Sequence, residues 1–259
     1  MKTTRANRRL PSLFSSALLV LATCLSQAQS VDDLLKQGDP FDRKFQPEEA
    51  LKFYLPAEKA EPGNLKVLLC IARQYRHLMQ DASDTDEKLK YGAMAKDYAE
   101  RAVKVAPKEA EAHLSVAITH AKMTPYLGTK ERLEASKEVK AAVDKTIELD
   151  PKIDQAWHIL GCWHQRLADI GSVKRAIAAM VYGGLPAASN DDSVKCLQKA
   201  IDLNPECPKH FIELGRTYAQ MGKNTEAKEY IEKGLAMPNV GKDDAEVKQS
   251  GRETLKELN

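Results

Sequence analysis

Phe211-Ile-Glu-Leu-Gly-Arg-Thr-Tyr218, then Ala227-Lys-Glu-Tyr-Ile231-Glu-Lys-Gly234, then Pro238, is the stretch whose reading decides the fold. In its first half Phe211, Leu214, Gly215 and Tyr218 stand at offsets 0, 3, 4 and 7, which describe one face of an α-helix. The glycine at the fourth offset lets a neighbouring helix come close. Ala227, Ile231 and Gly234 repeat that spacing on a second helix. Gly222 falls between the two, where a residue free to adopt positive φ suits a helix end. Proline cannot continue a helix, so Pro238 closes the pair.

The same phrases recur upstream. Leu68-x-x-Ile71-Ala72-x-x-Tyr75, His113-x-x-Val116-Ala117-x-x-His120 and Trp157-x-x-Leu160-Gly161-x-x-His164 repeat the opening half. Each follows a terminating phrase: Ala57-x-x-Ala60-x-Pro62, Ala102-x-x-Val105-x-Pro107 and Thr146-x-x-Leu149-x-Pro151, with Ala200-x-x-Leu203-x-Pro205 before the last copy. Together they match the tetratricopeptide (TPR) pattern. The expected fold is all-α: a TPR-like α-α superhelix of about four to five helix pairs with inserted loops. Val247, Leu255 and Leu258 suggest a C-terminal capping helix. One pair cannot bury its apolar stripe alone, so stability is collective.

Upstream of Pro62, Ala50, Tyr54 and Ala57 mark a good second helix, whereas Gly38-Asp39-Pro40 is expected to cut the first one short. The terminal prolines lie 45, 44 and 54 residues apart, more than the common TPR period. The excess is expected between the helices of each unit. Residues 80–88 read as one polar loop and residues 123–130 as another, and the overlapping Asp84–Lys90 charge run reads as a solvated loop. From Gly171 to Asp192, Val173, Ala176, Ile177, Met180 and Val181 suggest an extra short helix before a Gly183-Gly184-Leu185-Pro186 turn.

Residues 1–28 read as a secretory signal peptide. Lys2, Arg5, Arg8 and Arg9 precede an apolar run from about Leu13 to Leu25, and Ser26-Gln27-Ala28 supplies the small residues of a cleavage site. That run is too short to span a bilayer. The expected product is an exported, periplasmic or secreted chain with one TPR-like domain over 29–259 and no transmembrane helix. Leu21-Ala22-Thr23-Cys24 resembles a lipoprotein box, but Thr23 fits poorly, so lipid anchoring is the lesser reading. Removing four cations and no acids takes the net charge from +2 to −2, so the basic balance is no nucleic-acid signal.

Cys70, Cys162, Cys196 and Cys207 have no metal or redox spacing and read as buried thiols on helices. His158 and Cys162, four apart, could hold a metal, but no second pair stands nearby in sequence, so helical packing or groove lining is the simpler reading. His113 and His120 occupy packing positions of the repeat, and Trp157 and Trp163 read as core. No nucleophile elbow, phosphate loop or metalloprotease motif occurs. The expectation is a non-enzymatic chain with no catalytic residues, cofactor or metal.

Three stretches carry a family resemblance: Tyr126-Leu-Gly-x-Lys130 leading into Lys137–Pro151, Trp157-His-x-Leu-Gly-x-Trp163, and Lys174 to Ser189 through Tyr182-Gly-Gly-Leu-Pro186. The arrangement resembles the regulator of microtubule dynamics family of TPR-like proteins, over roughly residues 31–240. The resemblance implies a TPR-like fold. It also implies phospholipid binding and membrane tethering, as in one animal member, or association with microtubules, as in others. A short Arg-headed leader on a compact chain looks bacterial, so the family's name is not taken as this protein's role.

In TPR stacks the first helix of each pair faces the concave side. That mapping, taken from the TPR resemblance, places groove residues at offsets −2, +1, +5, +8 and +9 from the Trp-like position. It singles out Lys66, Leu69, Arg73, Arg76, Leu114, Ile118, Lys122, His158, Arg166, Lys209, Ile212 and Arg216. Across four units the twenty positions hold seven Lys or Arg and one acid, although Asp32, Asp39 and Asp42 face the same way in the first unit. An apolar floor with cationic walls suits an extended anionic ligand. The expected partner is a protein or peptide; the alternative is a phospholipid.

Overall fold

The structure, a computed structural model, describes residues 29–182 and 184–258. The expected leader at 1–28 and Gly183 of the Tyr182–Pro186 motif lie outside the described residues. Helices α1 (Val31–Arg43) and α2 (Pro47–Ala60) form the first pair, and α3 (Leu65–Asp81) and α4 (Thr85–Val105) the second. The third is α5 (Ala110–Met123) and α6 (Thr129–Leu149), linked through a 3-10 turn at Thr124–Tyr126. The fourth is α7 (Asp154–Ala168) and α9 (Asn190–Leu203), with α8 (Ser172–Tyr182) inserted between them. Helices α10 (Pro208–Gln220) and α11 (Asn224–Ala236) are the fifth, and α12 (Asp244–Glu257) closes the chain. Among the described residues the regular structure is all helical: a TPR-like superhelix of five pairs.

Local chemistry sets the boundaries. Asn64, Asp84 and Ser189 cap α3, α4 and α9 by accepting backbone N–H groups of the first turn. The two repeated phrases are also stitched together. Trp157 Nε1 donates to the carbonyl of Pro151 at 2.9 Å, and His113 Nε2 meets that of Pro107 at 2.9 Å. The small residue at the fourth offset is a contact point. A Cβ on Gly215 would stand 2.6 Å from Ile231 Cγ1, and one on Gly161 2.6 Å from Leu197 Cγ. Ala72 and Ala117 are fully buried at the same offset.

A polar rung links first helices of successive units. Arg76 on α3 donates to Ser115 Oγ at 2.9 Å and Thr119 Oγ1 at 3.3 Å on α5. Gln165, at the equivalent place on α7, donates to Thr217 Oγ1 at 3.0 Å on α10. Satisfying buried polar groups between helices fixes their register.

Three sequence expectations need correction. The Asp84–Lys90 run is not a loop. Asp84 accepts from Asp86 N and Glu87 N at 2.9 and 3.0 Å and starts a 21-residue helix. Helix α6 is also 21 residues, so the long spacing in units two and three is mostly added helix. Second, Gly38-Asp39-Pro40 does not break α1. The Tyr54 ring occupies the place a Cβ at position 38 would take, so only glycine fits beneath it. The Tyr54 hydroxyl donates to Asp39 Oδ1 at 3.2 Å, fastening α1 onto α2. Third, Ile212, expected in the groove floor, is fully buried. It sits against Gly234 of α11 and Gly251 of α12, because the closing helix packs on it.

Helix α12 lies more on α10 than on α11, which brings it toward the concave side. The extra helix at 172–182 and the turn near 124–126 agree with the sequence reading. All four described cysteines are free and buried. Burial pushes the Cys162 thiol up to about 12 and that of Cys196 to about 11, which leaves them unreactive near neutrality.

Candidate functional site

The concave faces of α3 and α5 meet the segment that leads into α12. Asp244, 1% exposed, accepts the N–H groups of Val240 and Gly241 at 2.7 Å each. This tight turn presents Lys242 and Asp243 to the N-terminal half. Lys242 Nζ pairs with Asp81 at 2.6 Å and donates to the His77 carbonyl at 3.4 Å. Asp243 pairs with Lys122 at 2.7 Å. The segment thus straps the end of the chain across the concave face. Beneath it lies a cavity of about 230 Å³ with Leu69, Leu114 and Ile118 in its apolar wall.

Its cations are not equivalent. Arg73 pairs with Asp42 of α1 at 2.6 Å, so the acids of the first unit answer part of the groove charge. Arg76 differs. It is 8% exposed, and its hydrogen bonds go to two neutral hydroxyls. Among the described residues no carboxylate lies within ion-pair distance of it. Burial, then the neighbouring Arg73, pull its guanidinium down to about 10 against the weaker opposing fields of Asp243, Asp42 and Glu111, so it remains charged at neutral pH. Burial opposes ionisation of Asp243, but Lys122 and then Lys209 hold its carboxyl below the usual range.

The structure divides the twelve sequence-derived residues. Leu69, Arg73, Arg76, Leu114, Ile118 and Lys122 come together around this cavity. Arg166 and Arg216 line a second one of about 360 Å³, closed by Thr254, Glu257 and Leu258 at the end of α12. Arg216 is bound to Glu213 on its own helix at 2.8 Å. Lys66 is exposed and outside both cavities, and Ile212 is buried under α12. His77, at the +9 offset of the groove frame, also lines this cavity, whereas sequence reasoning missed Ser115, Lys242 and Asp243. Ser115 sits on the right helix, but nothing in the local pattern reveals a strap that arrives from more than a hundred residues downstream.

His158 leaves the groove for a partly buried polar chain. Its Nδ1 lies 3.0 Å from His210 Nδ1, and its Nε2 lies 3.6 Å from Cys162 Sγ. His210 Nε2 lies 2.9 Å from Asp154 Oδ2, which also accepts from Asn204 Nδ2 at 3.0 Å. The His210 hydrogen bond, against opposing burial, holds the Asp154 carboxyl below the usual range. Lys209, beside this chain, is partly buried at the start of α10 and lines neither cavity.

Three other imidazoles are held neutral. Burial, reinforced by Lys242 and Arg76, pushes His77 down to about 4. Burial, then Lys96, lowers His120, and burial lowers His164 against the pull of Asp192. In the unfolded chain these rings titrate near ~6.5. Below that pH the unfolded state takes up more protons than the folded one, so acid favours unfolding. Thermal melts are therefore expected to fall by several degrees from pH 7.5 to pH 5. An unchanged melting temperature would show that these rings are not desolvated in solution.

Among the described residues no helix is long and apolar enough to cross a membrane. The family model described as Regulator of microtubule dynamics protein 1-3 matches residues 11–259. The chain is 25% identical over 223 residues to Regulator of microtubule dynamics protein 3 of Rattus norvegicus, covering 85% of this chain and 47% of that protein. It is 25% identical over 247 residues to Regulator of microtubule dynamics protein 1 of Mus musculus, covering 94% and 78% respectively. The chain thus spans about half the length of the first relative. Among solved structures, a thermophilic TPR protein of Thermus thermophilus superposes with a TM-score of 0.61 at 14% identity, covering 88% of this chain and 100% of that one. At that identity the likeness speaks for the fold alone.

Proposed function

The chain belongs to the Regulator of microtubule dynamics protein 1-3 family, and on that premise we propose that it is a non-enzymatic scaffold that binds an extended, anionic segment of a partner protein in its concave groove. The observation that carries this reading is Arg76. A buried cation without a carboxylate partner is costly unless something supplies one. Here the charge borders a cavity floored by Leu69, Leu114 and Ile118, with Lys122 beside it. A peptide carboxylate reaching Arg76 would gain a charge-assisted bond in a shielded place, while its apolar side chains settle on the floor. From within the chain, Asp243 already places a carboxylate on the neighbouring Lys122 at 2.7 Å.

A second reading is favoured by the same apolar floor: a phospholipid, its phosphate at Arg76 and its acyl chains over Leu69, Leu114 and Ile118. Three measurements separate the readings. Fluorescence anisotropy with an acidic, apolar-spaced peptide tests the first. Co-sedimentation with vesicles of phosphatidic acid in phosphatidylcholine, and mass spectrometry of extracted lipid, test the second. Saturable, salt-sensitive peptide binding with clean extracts supports the scaffold; stoichiometric co-purifying phospholipid with no peptide binding overturns it. The leader-like residues 1–28 support placing this activity in an exported compartment, with 29–259 as the working domain. Cell fractionation that finds the chain with its leader in the cytoplasm would reject that placement.

A further inference from the structure

The geometry points to a zinc-type divalent metal site formed by Asp154, Cys207 and His210, which ties the start of α7 to the start of α10. One ligand atom from each of the three lies within 4.8 Å of the other two. The set is built from two chain segments. Asp154 is the first residue of α7, while Cys207 immediately precedes α10 and His210 follows in its first turn. Neither half is a metal motif in the linear sequence.

The donor chemistry selects the ion. Thiolate, imidazole and carboxylate are the ligands zinc takes, and a thiolate disfavours magnesium or calcium. Three protein ligands leave a fourth position for water. Access is through Asp154, whose side chain is 28% exposed, whereas that of His210 is fully buried. The 2.9 Å between Asp154 Oδ2 and His210 Nε2 must open to about 3.3 Å for tetrahedral bonds near 2 Å. That is a few tenths of an ångström.

The surroundings are arranged as supporting groups around a metal commonly are. Asn204 Nδ2 aims the Asp154 carboxylate at 3.0 Å. His210 Nδ1 faces His158 Nδ1 at 3.0 Å, and His158 Nε2 faces Cys162 Sγ at 3.6 Å. This chain can carry its protons in either direction. Without metal, His210 Nε2–H donates to Asp154, His158 Nδ1–H donates to His210 Nδ1, and the Cys162 thiol donates to His158 Nε2. With metal, the His210 Nε2 lone pair binds the ion. Its proton moves to Nδ1 and donates to His158 Nδ1, and His158 carries its own proton on Nε2 toward Cys162. Each contact is satisfied in both arrangements. The one proton released is the Cys207 thiol's, which goes to solvent. His158 is thus a positioning residue.

The test uses the purified protein kept reduced with a phosphine, and cobalt(II) alone as the probe. One equivalent should bind with a thiolate-to-cobalt charge-transfer band in the near ultraviolet, displaced by one equivalent of zinc(II). Cys207→Ser should abolish the band, while Cys162→Ser should keep it. Asn204→Ala should weaken affinity about 10- to 100-fold with the fold intact by circular dichroism. Zinc X-ray absorption on the wild-type protein, which needs no variant to fold, should show one sulfur and a remainder of nitrogen and oxygen. Cobalt binding without the band, a band that survives Cys207→Ser, or a zinc shell lacking sulfur would each overturn the site.

Discussion

Replacing Arg76 with glutamine is expected to weaken binding of an acidic peptide by about 30- to 150-fold, because a charge-assisted hydrogen bond to a buried group contributes about 2–3 kcal/mol. The melting temperature should hold or rise. The molecule itself supplies the reason for choosing glutamine. Gln165 occupies the equivalent place one rung along and reaches Thr217 Oγ1 at 3.0 Å, much as Arg76 reaches Ser115 and Thr119. Glutamine at 76 can keep the α3–α5 rung while removing the charge. A buried cation that has only hydroxyl partners lowers stability, so its removal should not lower the melting temperature. If Arg76 were simply a brace, the variant would melt lower and bind as before. Lys66→Gln is the control, since Lys66 is exposed and outside the cavity. Calorimetric titration of both variants, with melts in parallel, decides between the two accounts.

How far the site can be read from sequence follows from what periodicity encodes. Offsets +1, +5, +8 and +9 fall on one helix face, so Leu69, Arg73 and Arg76 were recoverable, as were Leu114, Ile118 and Lys122 one unit on. The same rule misplaced Ile212, because it assumes that the concave face stays open. Helix α12 occupies that face at the last pair and sets Gly251 against Ile212. His158 obeyed the frame in position but not in orientation. His210, at an offset without a groove role, draws its ring into a contact the repeat pattern does not contain. Cys207-x-x-His210 is a single short pair that gives no motif by itself, and Asp154, which completes the set, comes from another helix start and so leaves no spacing signature.

The fold was more legible, because prolines and helix faces are local. The errors lay where polarity was equated with loop. Asp84, Asp86 and Glu87 look like a solvated turn, yet acidic residues are what a helix N-terminus prefers. Gly38 and Pro40 look like a stop, but packing of Tyr54 over Gly38 outweighs the weak local preference.

Ending the chain after Met237 is expected to lower the melting temperature by about 10 °C and, at the same time, to tighten acidic-peptide binding. The first effect comes from burial. Ile212 and Ile231 are fully buried, and Gly251 of α12 touches both. Uncovering them costs about 3–6 kcal/mol as an upper bound, where each kcal/mol moves a chain of this size by about 2–4 °C. The loss should be local, since each pair leans only on its neighbours. Hydrogen exchange should therefore show α10 and α11 losing protection while α3 and α4 keep theirs. The second effect comes from charge. Truncation removes Asp243 and Lys242, and with Asp243 goes the carboxylate that now holds Lys122 at 2.7 Å. Asp243→Asn separates the two effects. Both side chains of that pair are about one-third exposed, at 27% and 33%, so the pair contributes under about 1 kcal/mol. The variant should melt near the wild-type temperature yet bind the peptide up to about 5-fold more tightly. Unchanged affinity in both proteins would mean that Asp243 does not compete with the ligand, and that the strap closes the stack without guarding the groove.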